Sequence, residues 1–420
     1  MVNENNVITP VILGGDLGAY SMARSFAEGL GVFSYVFARD RLAICETSSF
    51  INLTVVKNLD DPNVAVSVLI DFAKEHTNEA LMLIPTADWY MEMLQYSRET
   101  LSKYYNFSIP DFEIWRAFTE KSSFYEILSA NGVSYPKTVS FSGVEIEKIK
   151  KSEFVLKPPY VLKPSDSALY WKNSFEGMQK VYFPYSKEDV CLISEKIFAS
   201  GYEGKIIVQE RLLDTDDEGF VSEPRAMVLT TFSDHSGRVV RAALGEILLE
   251  EDAPTARGNY SAIVTAPLND FCQKLIGLLE KYRYHGIANF DILEVGGKYF
   301  CLELNARSGR SSDYVRAAGI NLANALVKDA LGIRMEKIFN YDSILWSAVP
   351  LNCLYKRPRD KTLLCRAESL IAEGMYSSPF DSELDRGFLR RIYVMIHLRR
   401  QAKLYTKYSR EELNCFSAKY

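Results

Sequence analysis

The sequence predicts a protein of mixed α/β and α+β class, with an α/β domain, an α+β domain and a helical C-terminal segment in that order. Over the first ~115 residues, short apolar runs that end in polar turns alternate with helical patterns, which is typical of a parallel sheet covered by helices. A strand-rich stretch then extends to Asn305, and after about Asn340 the apolar residues recur at helical spacing. A chain of 420 residues is long enough for two or three domains. We place them at 1–115, 116–338 and 339–420.

The N-terminal region reads as a strand, a glycine turn and a helix. Val7 to Leu13 is apolar, and a second apolar strand, Ala80 to Ile84, also ends in a polar turn. Gly14, Gly15 and Gly18 resemble a dinucleotide-binding turn, but the G-x-G-x-x-G spacing is absent. These glycines therefore serve either phosphate binding or only a tight turn.

The bulk properties exclude several classes of protein. The chain carries 49 Lys plus Arg against 54 Asp plus Glu, and a net charge of -5 gives no general attraction to nucleic acid. Seven cysteines without a C-x-x-C pair argue against a disulfide framework or a zinc site. The N-terminus lacks the order of a secretion signal, and no apolar run approaches the ~20 residues of a transmembrane helix. We expect a cytoplasmic protein without a transmembrane segment.

A basic stretch near the C-terminus, from Arg386 to Arg410, lies on a predicted amphipathic helix. Its cations could make a peripheral contact with anionic lipid headgroups, although a charge run more often forms the solvated side of a helix. The cations concerned are Arg390, Arg391, Arg399, Arg400, Lys403 and Lys407.

The segment 288–305 carries the pattern with the most chemical content, two strands joined by a glycine turn. Glu303 and Asn305 are two residues apart on a strand, so both side chains lie on the same face. With Asp291 they would offer three hard oxygen ligands, which suits Mg²⁺ bound to nucleotide phosphates. The alternative is a polar hairpin face exposed to solvent.

The register of the hairpin decides whether Asp291 joins the other two. A two-residue loop of Gly296 and Gly297 would place Asp291 opposite Leu302, on the wrong face. A three-residue loop that includes Lys298 would place Asp291 across from Glu303, within the ~5 Å of cross-strand neighbours. We predict this register, or a bulge equivalent to it.

Two arginines and several hydroxyls follow the acidic residues immediately, in Arg307-Ser-Gly-Arg-Ser-Ser312. The guanidinium groups of Arg307 and Arg310 can hold a carboxylate bidentately and stabilise a developing oxyanion, so we predict a catalytic role for both. Ser311 and Ser312 are predicted cofactor-binding residues. A surface loop is the alternative.

With these residues in place, the sequence is similar to ATP-grasp enzymes and more closely resembles the D-aspartate ligases that build peptidoglycan cross-bridges. The resemblance covers most of the chain. Its motifs are Gly18-Ala-Tyr-Ser-Met-Ala-Arg-Ser-Phe26, Lys121-Ser-Ser-Phe-Tyr-Glu126, Tyr160-Val-Leu-Lys-Pro164, Ile207-Val-Gln-Glu210, Gly258-Asn-Tyr260, Ala288-Asn-Phe-Asp291 and Leu302-Glu-Leu-Asn-Ala-Arg-Ser-Gly-Arg-Ser-Ser312.

The resemblance implies an ATP-grasp fold with an N-terminal parallel domain on the substrate side, and ATP clamped between two α+β subdomains. Lys121 and Lys163 would reach the phosphates, with Lys157 as the alternative to Lys163 because both follow a Val-Leu pair. The strand edge at Gln209 and Glu210 would bind adenine through its backbone. The trio on the hairpin, Asp291, Glu303 and Asn305, would hold Mg²⁺.

The resemblance also implies the reaction. Arg225 and Arg257 fall where similar ligases carry cations near the transferred phosphate or the acidic substrate. A carboxylate, in the nearest relatives the β-carboxyl of D-aspartate, attacks the γ-phosphate to give an acyl phosphate. The lysine side chain of the UDP-linked muramyl pentapeptide then displaces phosphate. The partners would be a small-molecule amino acid and this peptidoglycan precursor. The alternatives are a ligase for other amino acids or peptides, and a non-catalytic regulatory protein that binds ATP.

Overall fold

The computed structural model of the chain describes residues 8–152, 154–215, 221–251, 258–356 and 360–407. Within these residues the strands form four sheets, of five, three, two and eight strands. The N-terminal parallel sheet and the mixed sheets with their helices agree with the predicted mixed class.

The first sheet is parallel throughout, in the order β3-β2-β1-β4-β5. Alternate residues of its central strand enter two different apolar clusters: Val11 and Leu13 pack on one side, Ile8 and Ile12 on the other. Both faces are therefore covered, as a parallel sheet requires. The strands are β1 (Ile8–Leu13), β2 (Ser34–Ala38), β3 (Ile51–Val55), β4 (Ala80–Pro85) and β5 (Tyr105–Asn106). The helices are α1 (Leu17–Leu30), α2 (Ala43–Glu46), α3 (Pro62–Glu75), α4 (Asp88–Tyr96) and α5 (Arg98–Leu101).

The glycine turn after β1 packs closely against the loop after β4. Gly14 has a φ of 133°, and a Cβ there would lie 2.1 Å from Oγ1 of Thr86, in the loop after β4. Asp16 caps α1 by accepting hydrogen bonds from the backbone N–H groups of Gly18 and Ala19. The turn therefore fits tightly against the end of β4 and starts the helix.

Two helices, α6 (Phe112–Thr119) and α7 (Lys121–Ala130), lead from the first sheet into a small antiparallel one. Its strands are β6 (Thr138–Phe141), β7 (Tyr160–Pro164) and β8 (Ile206–Glu210), in the order β6-β8-β7. Its helices are the 3₁₀ helix Gly143–Glu145, α8 (Ile146–Lys151), α9 (Ser167–Lys172) and α10 (Lys187–Ala199). Leu162, Ile197 and Val208 are among the residues of its own apolar core.

A large sheet follows the small antiparallel one. Its strand order is β15-β14-β11-β12-β13-β17-β18, with β16 paired to β12. A short pair, β9 (Asp214–Thr215) and β10 (Val221–Ser222), precedes it. The strands of the large sheet are β11 (Arg225–Ser233), β12 (Val239–Glu250), β13 (Tyr260–Ala266), β14 (Gly286–Val295), β15 (Lys298–Asn305), β16 (Ile338–Phe339), β17 (Leu345–Ser347) and β18 (Tyr376–Ser377). The associated helices are α11 (Asp270–Lys281), α12 (Asp313–Ala317) and α13 (Leu322–Ala330).

The C-terminal region is not purely helical, in contrast to the prediction for 339–420. It contains the 3₁₀ helix Leu351–Cys353, α14 (Lys361–Ala372) and α15 (Phe388–Lys407), but β17 and β18 extend the large sheet. The expected apolar stripe of α14 is buried at Leu363 and Leu370. Strands of two or three residues are too short to show a periodic pattern in the sequence.

The basic helix α15 is docked at both ends. Arg390 is 1 % exposed, lies 3.0 Å from the carboxylate of Asp385, and donates to the backbone oxygen of Ile44 at 2.7 Å. The hydroxyl of Tyr405 donates to Oγ of Ser261 at 2.7 Å. Arg390 is thus a buried anchor, and its predicted availability to lipid headgroups is wrong.

The other cations of the proposed lipid contact are exposed where their side chains are described, at Arg391, Arg399, Arg400 and Lys403. Among the described residues, none of the helices combines the length and the apolar character that a bilayer span requires.

Candidate active site

The hairpin of β14 and β15 brings Asp291 directly opposite Glu303, as predicted. Val295 pairs with Lys298, so the loop consists of Gly296 and Gly297 alone, and the predicted three-residue loop is wrong. The register instead shifts between Asp291 and Ile292. One extra residue on β15, Leu302, forms the bulge that was the stated equivalent.

The three predicted metal ligands lie together. The amide nitrogen of Asn305 donates to Oδ2 of Asp291 at 3.2 Å, and Asn305 pairs with Asn289 two positions from the Asp291–Glu303 pair on the same two strands. The hydroxyl of Tyr260, from β13, donates to Oδ1 of Asp291 at 3.0 Å. Two carboxylates and one amide are therefore presented from a single hairpin, and a tyrosine from another strand of the same sheet holds one of the carboxylates.

Two lysines from separate elements converge on one carboxylate oxygen. Nζ of Lys121, at the start of α7, lies 3.2 Å from Oε2 of Glu303. Nζ of Lys163, on β7, lies 3.4 Å from the same atom. Lys157 is exposed, and its backbone N–H donates to Oε1 of Glu210. Of the two candidate lysines, Lys163 is the one that the fold brings to the hairpin.

The charges of this cluster are strongly coupled. The ammonium groups of Lys121 and Lys163 hold the pKa of Glu303 well below its usual range. Burial, followed by the negative charge of Glu303, raises the pKa of Asp291 to about 7. Burial and the charge of Lys163 lower the pKa of Lys121. Both ammonium groups lie next to Glu303. A cation bound beside Asp291 would therefore reduce the repulsion between the two carboxylates.

The donor set fits magnesium. Within the described parts of the chain no group of three or more His, Cys, Asp or Glu side chains could hold a metal ion. A cation at this hairpin would therefore rest on Asp291, Glu303 and the amide of Asn305. Magnesium usually takes one or two carboxylates and completes its octahedron with phosphate oxygens and water.

The two arginines after β15 are each paired with a carboxylate from another part of the fold. Arg307 donates from Nε and Nη2 to the two carboxylate oxygens of Asp88, both at 2.8 Å. Arg310 donates to Glu251. Burial alone would lower the pKa of Arg307, but the charge and hydrogen bonds of Asp88, together with the charges of Asp16 and Asp291, outweigh burial and raise the pKa. The guanidinium group of Arg307 therefore stays charged.

The serines of this loop are buried. The hydroxyl of Ser312 accepts a hydrogen bond from the backbone N–H of Gly309 at 2.7 Å, which closes the turn before α12. Ser311 is 9 % exposed and Ser312 7 %. The hydroxyl of Ser312 thus shapes the loop, and the predicted cofactor contact of these two serines stays a prediction.

The structure gives no free strand edge at Gln209 and Glu210, and the predicted adenine contact of these residues stays a prediction. β8 is the central strand of its sheet, paired with β6 on one side and β7 on the other, so it presents no free edge. The side-chain amide of Gln209 donates to the hydroxyl of Tyr125 at 2.8 Å, and that hydroxyl donates to the backbone oxygen of Leu302 at 2.8 Å. Gln209 thus supports the bulge that positions Glu303.

Of the two remaining predicted arginines, Arg225 does not join the cluster. Arg225 lies at the start of β11, where its side chain is 47 % exposed and ion-paired with Asp360 at 2.7 Å and Glu294 at 3.5 Å. Arg257 lies outside the described residues. The predicted position of Arg225 near the transferred phosphate finds no support in these contacts.

Two further residues join the cluster without having been assigned a role from sequence. Tyr260 belongs to Gly258-Asn-Tyr260, one of the motifs shared with the ATP-grasp ligases, and this motif could have indicated its role from the sequence. Lys180 is one of the charges that lower the pKa of Glu303, and a Cβ on Gly258 would lie 3.3 Å from its ammonium. No spacing in the sequence marks Lys180, because its loop meets the hairpin only in the folded chain.

Comparison with known proteins gives a relative that spans nearly the whole chain. The chain is 29% identical over 417 residues to the D-aspartate ligase of Enterococcus faecium (strain Aus0004), which covers 96% of this chain and 97% of the relative. No family model matches the chain.

Solved structures show the same fold at low identity. The L-amino acid ligase from Bacillus licheniformis superposes with a TM-score of 0.54 at 16% identity, over 79% of this chain and 75% of that one. The biotin carboxylase domain of Hydrogenobacter thermophilus 2-oxoglutarate carboxylase, crystallised with MgADP, gives 0.57 at 13% identity, over 78% and 71%. The fold is ATP-grasp, as predicted. The chain therefore has the ATP-grasp fold and is a homologue of D-aspartate ligase.

Proposed function

We propose that this ligase activates the β-carboxyl of D-aspartate and joins it to the lysine side chain of the UDP-linked muramyl pentapeptide in peptidoglycan cross-bridge synthesis. The observation that carries the proposal is the Asp291–Glu303 pair facing Lys121 and Lys163. Carboxylates and ammonium groups in one cluster suit a metal-nucleotide complex.

ATP and Mg²⁺ are the proposed cofactors. Asp291, Glu303 and Asn305 would hold the metal, which when bound supplies charge neutralisation between the phosphates. Lys121 and Lys163 would contact phosphate oxygens and stabilise the charge on the phosphoryl group during its transfer. Each ammonium would exchange part of its contact with Glu303 for a phosphate oxygen.

The proposed reaction has two balanced steps. A carboxylate oxygen of the acid attacks the γ-phosphorus, the bond from that phosphorus to the bridging oxygen breaks, and ADP leaves. The amine nitrogen of the acceptor then attacks the acyl carbon, the bond from carbon to the phosphate oxygen breaks, and phosphate leaves while the amine loses a proton. Arg307 and Arg310 would orient the acid and stabilise the oxyanion of the second step.

The identity of the acid and of the acceptor rests on the relative and on charge. The matched protein is a D-aspartate ligase over nearly the full length of both chains. Two arginines on one loop suit a substrate with two carboxylates. A UDP-linked acceptor and ATP are cytoplasmic compounds, so a cytoplasmic location is part of the proposal.

The test is a survey of phosphate release by the purified full-length protein with ATP and Mg²⁺. D-aspartate, L-aspartate and other amino acids of both configurations are compared with and without the UDP-linked pentapeptide. We expect the highest rate with D-aspartate plus the pentapeptide, and a product heavier by one aspartyl residue in mass spectrometry. A higher rate with an L-amino acid and no pentapeptide would overturn the choice of substrates. ATP binding without phosphate release under any condition would instead indicate a regulatory protein.

A further inference from the structure

A crevice for the amino-acid substrate is suggested by the topology of the first sheet. In the order β3-β2-β1-β4-β5 the chain reverses direction across the sheet between β1 and β4. Ligands of open parallel sheets bind outside the carboxyl ends of the strands at such a switch point. The loops that flank it carry Asp16, after β1, and Asp88, after β4.

The arginine loop of the large sheet covers this switch point. A Cβ on Gly18, in the first turn of α1, would lie 3.4 Å from the Cα of Arg310. Arg307 reaches across to Asp88, 219 residues away in sequence. The predicted substrate arginines and the edge of the first sheet therefore form one site.

Asp88 has capacity for another ligand while it is paired with Arg307. Its side chain is 67% exposed, whereas that of Arg307 is 17% exposed. A carboxylate has about four acceptor positions, and the bidentate contact with the guanidinium uses two of them. The remaining positions of Asp88 can accept from a cation that lies next to Arg307.

The neighbouring carboxylates, those of Asp16 and Glu251, already bind other groups of the protein. Asp16 accepts from the backbone N–H groups of Gly18 and Ala19 as the cap of α1. Glu251 pairs with Arg310, and its side chain is 21% exposed. Asp88 is thus the carboxylate of this cluster that combines a contact to a substrate arginine with a largely exposed side chain.

We propose that Asp88 is a specificity-determining residue that binds the α-ammonium of the amino acid whose carboxylate is bound by Arg307. This inference rests on the proposed function and deepens it. The pair Asp88–Arg307 presents an acceptor and a donor side by side, which complements the zwitterionic end of an amino acid. A dicarboxylic acid without the amino group leaves the exposed oxygens of Asp88 unpaired and unfavourably close to its own charge.

The test compares D-aspartate with succinate, which has the same carbon skeleton without the amino group. The KM for D-aspartate and the inhibition constant of succinate against it are measured in the wild type, in Asp88→Asn and in Asp88→Glu. For Asp88→Asn we expect the KM for D-aspartate to rise about tenfold, the scale of one lost charged hydrogen bond, while the inhibition constant of succinate stays unchanged or falls because the repulsive charge is gone. Asp88→Glu keeps the charge and should retain part of the preference.

The matched control is Asp71→Asn on α3, because the side chain of Asp71 is 69% exposed and pairs with Lys74. It should change neither constant. If Asp88→Asn weakens both ligands equally, Asp88 only orients Arg307 and the inference is overturned. If D-aspartate does not stimulate phosphate release in the wild type, the proposed function fails and the inference with it, so the two failures differ. A thermal unfolding midpoint for each variant shows whether the fold is retained.

Discussion

Asp291 lies directly across the β14–β15 hairpin from Glu303. This pairing arises because Leu302 is an extra residue on β15, which shifts the register between Asp291 and Ile292. The backbone oxygen of Leu302 accepts from the hydroxyl of Tyr125 at 2.8 Å, so the bulge is held by the helix that carries Lys121. The bulge therefore aligns the carboxylates of Asp291 and Glu303, and its contact with α7 brings the ammonium of Lys121 to Glu303.

Replacing Glu303 with Gln should reduce phosphate release at least about 100-fold, because the variant loses a proposed metal ligand and the partner of two ammonium groups. The rate is measured with D-aspartate and saturating ATP. The matched control is Glu280→Gln, whose side chain on α11 is 34% exposed against 33% for Glu303. A Glu303→Gln rate equal to that of the control would remove Glu303 from the active site.

The variants Lys163→Met and Lys157→Met should separate the two candidate phosphate lysines. Nζ of Lys163 lies 3.4 Å from Glu303, whereas Lys157 is exposed on the segment before β7. We expect a loss of about 100-fold in kcat/KM for ATP in Lys163→Met, and little change in Lys157→Met. Steady-state kinetics with varied ATP gives both values, and the reverse order would contradict the proposed role of Lys163.

The variant Tyr260→Phe should weaken magnesium binding about tenfold, because the lost hydroxyl orients Asp291 through a 3.0 Å hydrogen bond. Calorimetric titration of Mg²⁺ into protein saturated with ADP measures this without turnover. Tyr299→Phe on the same hairpin is the control, since the Tyr299 ring stacks on Phe271. Equal affinities in the two variants would show that Tyr260 does not position the ligand.

His397 on α15 should make the protein less stable in mild acid. Burial, followed by the charges of Arg310, Arg400 and Arg390, lowers its pKa from 6.5 to about 4. Because the folded pKa is depressed, the unfolded chain binds more protons between these values. This contribution to stability is fully present above pH 6.5 and is lost as the pH falls to about 4, up to about 3 kcal/mol in all.

Urea unfolding of His397→Phe at several pH values across this window tests the point. The aromatic replacement suits the neighbouring rings of Phe380 and Tyr393. We expect the free energy of unfolding to fall less steeply toward acid than in the wild type. The control His235→Gln changes a side chain that is 60% exposed. An unchanged slope in His397→Phe would show that His397 is not the group responsible.

The sequence by itself determined the local part of the site. A period of two places Glu303 and Asn305 on one face, and the glycine pair fixes where the hairpin turns. The mixed fold class and the resemblance to the ATP-grasp ligases also follow from patterns that lie within short stretches. These features are readable because the spacing of side chains along a strand or helix is set by backbone geometry alone.

Only the tertiary structure decided which distant groups meet. It selected Lys163 over Lys157, made β8 a central strand so that Gln209 supports the bulge, and paired Arg225 with Asp360 at the sheet end. It also brought Asp88 to Arg307 across 219 residues. Strand order and domain packing set these contacts, and they depend on burying apolar faces over the whole chain, a quantity that no local spacing encodes.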